Sequence, residues 1–275
     1  MLRLAIGQAP SLPGDVPANT TRAIELLHQA ARNGARLLLL SELFLCGYDL
    51  AGLAEAPDQY AVGPDSAAVA ALTDACRTTG TGLIAGAAWR RPDSRLANAA
   101  LVVDPAGRLR GTYQKVHLWG AERELFVAGD ELLSIQIDGV SLGLGICYDA
   151  GFPEFSRAYA TGTNADVLLF SSAFARGGEE RRYDLYHPMR ALENTAYVLT
   201  ANALGGSFFG RGFAHDPYGR LVTSAGSQPG IALVDIDEHL IHAARATLPY
   251  LRDRRPPLPD ARLEIFSNDP RLPRP

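Results

Sequence analysis

Cys147 closes the apolar run in "GLGICYDAGFPE" (143–154) and stands just before a turn of Tyr, Asp, Ala and Gly, then Pro153. A thiol at a strand end, ahead of a tight turn into a helix, is presented to its surroundings and can serve as a nucleophile. The N–H of the next residue, Tyr148, can then face an oxyanion. The plainer reading of a lone cysteine, a small side chain used for packing, suits Cys46 and Cys76 better than Cys147. Glu42 sits inside the nearly continuous apolar run "LLLLSELFLC" (37–46). It is either the polar end of a strand facing water or a desolvated carboxyl. Desolvation would raise its pKa toward that of a base working near neutral pH. Lys115 lies in "YQKVHLWGAERELF" (113–126), after a β-like Thr-Tyr-Gln and before Val-His-Leu-Trp. Alone it reads as a solvated surface group. The segment "GVSLG" (139–143) matches the esterase pattern G-x-S-x-G, but Ser141 opens a strand instead of ending one, so the match is chance.

The chain must position these groups within 275 residues, enough for one large domain or two small ones. A hydrophobic share of 47% permits a core of useful size, and a net charge of −4 offers no basic footprint for nucleic acid. No stretch approaches the apolar length of a membrane span, and the N-terminus lacks the pattern of a secretory signal, so a cytoplasmic location is the default. Three cysteines without a CxxC pair speak against a disulfide framework and a cysteine-based zinc site. His239 and His242 could share a helical face but have no cysteine or acidic partner nearby, so no metal is expected.

Hydrophobic periodicity predicts strands over 2–9, 36–43, 82–89, 98–104, 132–138, 140–147, 166–173, 196–203 and 230–237. It predicts helices over 19–33, capped by Asn19 or Thr20, and over 66–79 and 183–194, with another starting near Pro153. The run 36–43 is apolar throughout, as in a strand buried on both faces. Asp104-Pro105-Ala106-Gly107 forms a hairpin-type turn. Strand–helix–strand units at both ends, with hairpins between, indicate an α/β protein with a mixed sheet or two sheets and helices outside. No linker splits the chain. The Pro-rich segment 254–275 does not read as core.

Glu in "SELFLCGY", Lys in "YQKVHLWGAE" and Cys in "GICYDAGFPE", in that order, resemble the nitrilase superfamily of carbon–nitrogen hydrolases. The likeness runs to about residue 250 and includes "RALENTAYVLTAN" (190–202). It implies a four-layer αββα sandwich in a single domain over 1–250, with a tail over 251–275 at a subunit interface of a homodimer or higher homo-oligomer. It implies Glu42 as general base, Lys115 as the cation near the oxyanion, Cys147 as nucleophile and Glu122 as a second glutamate that orients the site, with Glu124 as the alternative for that last role. Two departures stand out: Ser41 in place of a proline before the glutamate, and Ala150-Gly151 in place of bulkier residues after the cysteine. The second removes an arginine that related D-amino-acid carbamoylases carry, and with it a reason to expect an α-carboxylate on the substrate.

A thiol near its reference pKa of about 8.5 and a glutamate near about 4.3 leave proton transfer uphill by roughly 5–6 kcal/mol, a gap that burial of Glu42 and the charge of Lys115 must close. The expected activity is hydrolysis of a small amide to a carboxylate and ammonia through a cysteine thioester, with no cofactor. Tyr after the cysteine and Phe152-Pro153-Glu154 resemble the amidase branches, and "SELFLCGYDL" and "KVHLWGAE" resemble aliphatic amidases such as 5-aminopentanamidase. A nitrilase or N-carbamoyl amidohydrolase is the alternative within this chemistry, and a silent family member acting as a scaffold is the alternative outside it. Ser172, Ala173 and Phe174, in the loop "SSAFARGGEERRYD" (171–184), are expected to touch substrate together with Tyr148, while Arg176 is more readily solvated.

Overall fold

Two parallel trios of strands organise the chain, each wound through helices. The computed structural model describes residues 1–255. In the first trio, Leu2–Gln8 pairs in parallel with Leu37–Leu39, which pairs in parallel with Gly82–Arg90. In the second, Val140–Ile146, Val167–Ser172 and Tyr197–Asn202 do the same. Parallel neighbours need a crossover. Helices Val16–Arg32 and Ala67–Thr79 provide it in the first half, and Pro153–Gly162 and Glu180–Asn194 in the second. Antiparallel strands extend each trio. The first sheet runs in the order Gly230–Ile236, Leu2–Gln8, Leu37–Leu39, Gly82–Arg90, Leu96–Val103, Leu109–Gln114, with Ala61–Val62 also paired to Gly82–Arg90. The second runs Leu221–Ser224, Phe213–His215, Tyr197–Asn202, Val167–Ser172, Val140–Ile146, Ser134–Ile137.

The alternation of side chains along each strand makes the layers. Leu4, Ile6, Leu37, Leu39 and Ile84 face the second sheet and pack with Leu142, Leu144, Leu169 and Leu199. Ala5, Leu38, Leu40 and Leu83 face outward onto Leu26, Leu27, Leu72 and Cys76 of helices Val16–Arg32 and Ala67–Thr79. Both faces are dry, which is why "RLLLL" carries no polar residue after Arg36. The result is the expected αββα sandwich, and Cys46 and Cys76 are buried packing residues whose thiols burial pushes up to about 12.

Some boundaries differ from those read in the sequence. The first helix starts at Val16 with Asp15 as its cap, because Pro17 fits the opening turn. Asn19, expected as the cap, is instead buried inside the helix, where its amide bonds the carbonyls of Leu12 and Leu45. The strand expected over 36–43 stops at Leu39, and the chain turns through Leu43 at a φ of +50°. Helix 183–194 begins earlier, at Glu180. The strands Leu109–Gln114, Phe213–His215 and Leu221–Ser224 and the helices Leu50–Glu55 and Glu238–Thr247 were not expected, the last carrying His239 and His242. Among the described residues no helix is long and apolar enough to cross a membrane, and no group of three His, Cys, Asp or Glu could hold a metal ion. The tail from residue 256 onward, and with it its expected place at an interface, lies outside the described residues.

Candidate active site

The topology delivers three reactive side chains to one edge of the sandwich. Glu42 follows Leu37–Leu39, and Cys147 follows Val140–Ile146. Lys115 follows Leu109–Gln114, which runs in the same sense as Gly82–Arg90 because two antiparallel steps restore direction. Sites in α/β sheets commonly lie at such carboxyl ends. The two sheets are tied there by the Glu42 N–H, which donates to the Ser172 carbonyl at 3.4 Å.

Each side chain is held by a local device. Gly86 lets the Glu42 turn approach, since a Cβ at that position would stand 2.4 Å from the Leu43 nitrogen and the Ser41 oxygen. The Lys115 backbone is gripped from both sides: its N–H donates to the Asn98 carbonyl at 2.8 Å, and its carbonyl accepts from the Gly129 N–H at 2.9 Å. Cys147 adopts a φ of +45°, the left-handed region that a non-glycine residue occupies only at a cost of about 1–2 kcal/mol. It opens a single 3-10 turn, Cys147–Gly151, which leads into the helix at Pro153. The strand–turn–helix elbow read in the sequence is therefore present, and its strained residue is the cysteine.

Lys115 is fully buried and donates to Glu42 at 2.6 Å and to Glu122 at 2.9 Å. Asn98 donates to Glu42 at 2.7 Å. Glu122 is a hub: it accepts from Lys115, from the Tyr48 hydroxyl at 2.7 Å and, through its second oxygen, from the Trp119 N–H at 2.9 Å. Glu122 thus sits at this site, whereas Glu124, two residues on, is exposed. Desolvation pushes the Glu42 carboxyl up to about 7, with Glu122 adding to the rise and Lys115 and Asn98 opposing it. Burial works against the Lys115 charge, but Glu42, Cys147 and Glu122 outweigh it and raise the ammonium pKa. Desolvation, then the Glu42 charge, lifts the Cys147 thiol well above its ordinary value, with Lys115 pulling the other way. Together the shifts favour the thiol form of Cys147 and the ammonium form of Lys115, beside a carboxyl raised toward neutrality.

These groups open into a cavity of about 450 Å³ lined by Lys115 and Cys147 and walled by Tyr48, Trp119, Tyr148, Phe174 and Phe208. Tyr148, Ala173 and Phe174 line it as expected from their positions. Ser172 does not. It is the last residue of its strand, buried behind the wall, and only its carbonyl reaches toward the site, to Glu42. The cavity lies above the strand ends, so residues after the strand line it and residues within the strand do not. Arg176 is turned away and pins the Gly206 and Phe208 carbonyls. Arg182 stands at the cavity instead, paired with Glu179 at 2.7 Å and lying 5.1 Å over the Trp119 ring. Asn98, Tyr48, Trp119 and Arg182 escaped the sequence reading. Only Asn98 carried a signal, a polar residue at the start of an otherwise apolar strand.

Residues 3–246 match the family described as carbon–nitrogen hydrolase. A protein named as a hydrolase in the pqqF 5′ region of Pseudomonas protegens is 34% identical over 94% of this chain and 91% of its own. The 2-oxoglutaramate amidase of Bacillus subtilis is 30% identical over 87% of this chain and 92% of its own. Among solved structures, a glutamate-to-glutamine mutant of the amidase from Nesterenkonia sp. AN1 carries the acetamide moiety of fluoroacetamide covalently at its active-site cysteine. It superposes with a TM-score of 0.81 at 29% identity, covering 92% of this chain and 94% of that one.

Proposed function

This chain belongs to the carbon–nitrogen hydrolase family and is an amidase-type hydrolase, and from that premise we propose that Glu42, Lys115 and Cys147 hydrolyse a small amide, with Glu122 orienting them. The observation that carries the assignment is the buried Glu42–Lys115–Glu122 cluster, with Lys115 2.6 Å from Glu42, at the wall of a cavity that Cys147 also lines.

The amide carbonyl carbon is attacked by the Cys147 sulfur while Glu42 takes the thiol proton. The negative charge that moves onto the carbonyl oxygen meets Lys115. An ammonium has three N–H donors, and Glu42 and Glu122 occupy two, which leaves the third for the oxyanion. The N–H of Tyr148, the residue after the nucleophile, is a second donor. The tetrahedral centre then collapses: the C–N bond breaks, Glu42 returns its proton to nitrogen, and ammonia leaves a thioester on Cys147. Water adds next, giving a proton to Glu42. The C–S bond breaks, the departing sulfur recovers that proton, and the carboxylic acid is released. A carboxyl titrating near 7 is suited to both halves of this cycle, since it must accept and return a proton at similar ease.

A cavity of this volume, with aromatic walls, supports a small acyl group, and the resemblance to aliphatic amidases such as 5-aminopentanamidase supports an aliphatic one. Three cysteines without a CxxC pair support a cytoplasmic setting. A homodimer or larger homo-oligomer is supported by the outward Leu185 and Met189, each about half exposed, on helix Glu180–Asn194. Ammonia release over a panel of aliphatic amides, nitriles and ureides tests the reaction, and mass spectrometry after brief exposure tests the acyl adduct on Cys147. Turnover by Cys147→Ala at the normal rate would overturn the assignment. An unacylated, inactive wild-type enzyme would instead favour the scaffold reading.

A further inference from the structure

Asp149 has no part in the cycle above, yet it is fully buried and draws more hydrogen bonds than Glu42 does. One oxygen accepts from the Ile146 N–H at 2.9 Å and from the Tyr113 hydroxyl at 2.7 Å. The other accepts from the His117 N–H at 3.0 Å and meets the His117 Nδ1 at 2.8 Å, a contact that is attractive when Nδ1 carries the proton. The donors sit in telling places. Ile146 directly precedes the nucleophile. Tyr113 and His117 lie two residues to either side of Lys115, on the chain that comes from the other sheet. A single carboxylate therefore spans the two sheets and joins the nucleophile's elbow to the lysine's segment.

We infer that Asp149 is a positioning residue that sets the distance between Cys147 and Lys115, resting on the roles proposed for those two. Three further features converge on the same elbow. Cys147 is in the left-handed region and needs its neighbours to hold it there. The His117 ring stacks on Phe152 at 3.7 Å, closing the far end of the turn. Arg190, itself buried, donates to the Ala150 carbonyl at 2.8 Å from the helix behind. The elbow is thus gripped from the front by Asp149 and from the back by Arg190. Asp149 ties it by hydrogen bonds to the segment that carries the cation.

An amide at this position cannot serve all four donors, because its NH2 group opposes at least one of them. Asp149→Asn should lower kcat by about 100-fold, the scale of a displacement near one ångström at the reacting atoms, with KM within about threefold. Tyr113→Phe removes one donor, and His117→Ala removes one donor together with the Phe152 stack; each should lower kcat within about tenfold, again with KM nearly unchanged. Rates are referred to the folded fraction, read from the amplitude of the thermal unfolding transition, so that unfolded protein does not count. The decisive comparison is the double variant. If Asp149 is the common partner, Tyr113→Phe has no further effect in the Asp149→Asn background. Full kcat in both Tyr113→Phe and His117→Ala would overturn the inference, even if Asp149→Asn failed to fold. So would losses that multiply independently, or a fall in melting temperature with kcat per folded enzyme intact. If, instead, wild-type Cys147 failed to acylate at all, the proposed function and not the positioning role would be at fault.

Discussion

If Glu42 is the base, its ionisation should govern the acid limb of kcat/KM, which reports groups of the free enzyme. Burial raises its carboxyl to about 7, and the sign follows: lowering the pH through that value protonates the base and removes activity. At pH 5 a carboxyl with a pKa of about 7 is ionised in about 1% of molecules, so kcat/KM should be about 100-fold lower than at pH 8. A glutamate at its ordinary value near 4.5 would still be about three-quarters ionised at pH 5, and the profile would be almost flat. Ammonia release at low substrate, between pH 5 and 8.5, separates the two cases by nearly two orders of magnitude. Circular dichroism at each pH, and full recovery on return to pH 8, distinguish titration from unfolding. The neighbouring charge offers a second check. Glu122 raises the Glu42 pKa through its negative charge, so Glu122→Gln should move the limb toward lower pH whatever it does to the plateau. A flat profile in the wild type, or a limb that does not move in Glu122→Gln, would refute the reasoning.

Lys115→Met keeps the length and loses the charge; kcat should fall by about 10²–10³ or more, and any residual activity should show its acid limb at higher pH, since Lys115 holds the Glu42 carboxyl down. Gly86→Ala would place a methyl 2.4 Å from the backbone of the Glu42 turn, so it should destabilise the fold by about 1–3 kcal/mol, read as a lower melting temperature, and reduce turnover in the protein that remains folded. Truncation after Asp253 removes Leu263, Ile265 and Phe266, an apolar group costly to leave in water; light scattering should then show fewer subunits per particle than the full chain gives. An unchanged number of subunits and an unchanged melting temperature on truncation would exclude a role for the tail in assembly.

The three residues of the proposed triad were legible because each interrupts a local pattern. Glu42 breaks a run of leucines, Lys115 ends a β-like segment, and Cys147 ends an apolar strand before a turn, and these are statements about residues close in sequence. The layers were legible for the same reason: strands buried on both faces read as unbroken apolar runs, and the helices between them as amphipathic ones. Tertiary structure decided everything that depends on partners far along the chain. Asn98 is 56 residues from Glu42, Tyr48 is 74 from Glu122, and Tyr113 is 36 from Asp149. No periodicity reports such pairs. The choice between Glu122 and Glu124 turned on which of them a single short helix turn directs inward. Ser172 and Ala173 are adjacent in sequence, but the strand ends between them, and only the residue past the end reaches the cavity. The protonation states are tertiary as well. Sequence places a carboxyl in apolar company, but only the folded packing removes its water and sets a lysine and a second glutamate beside it, and it is that balance which brings Glu42 to about 7.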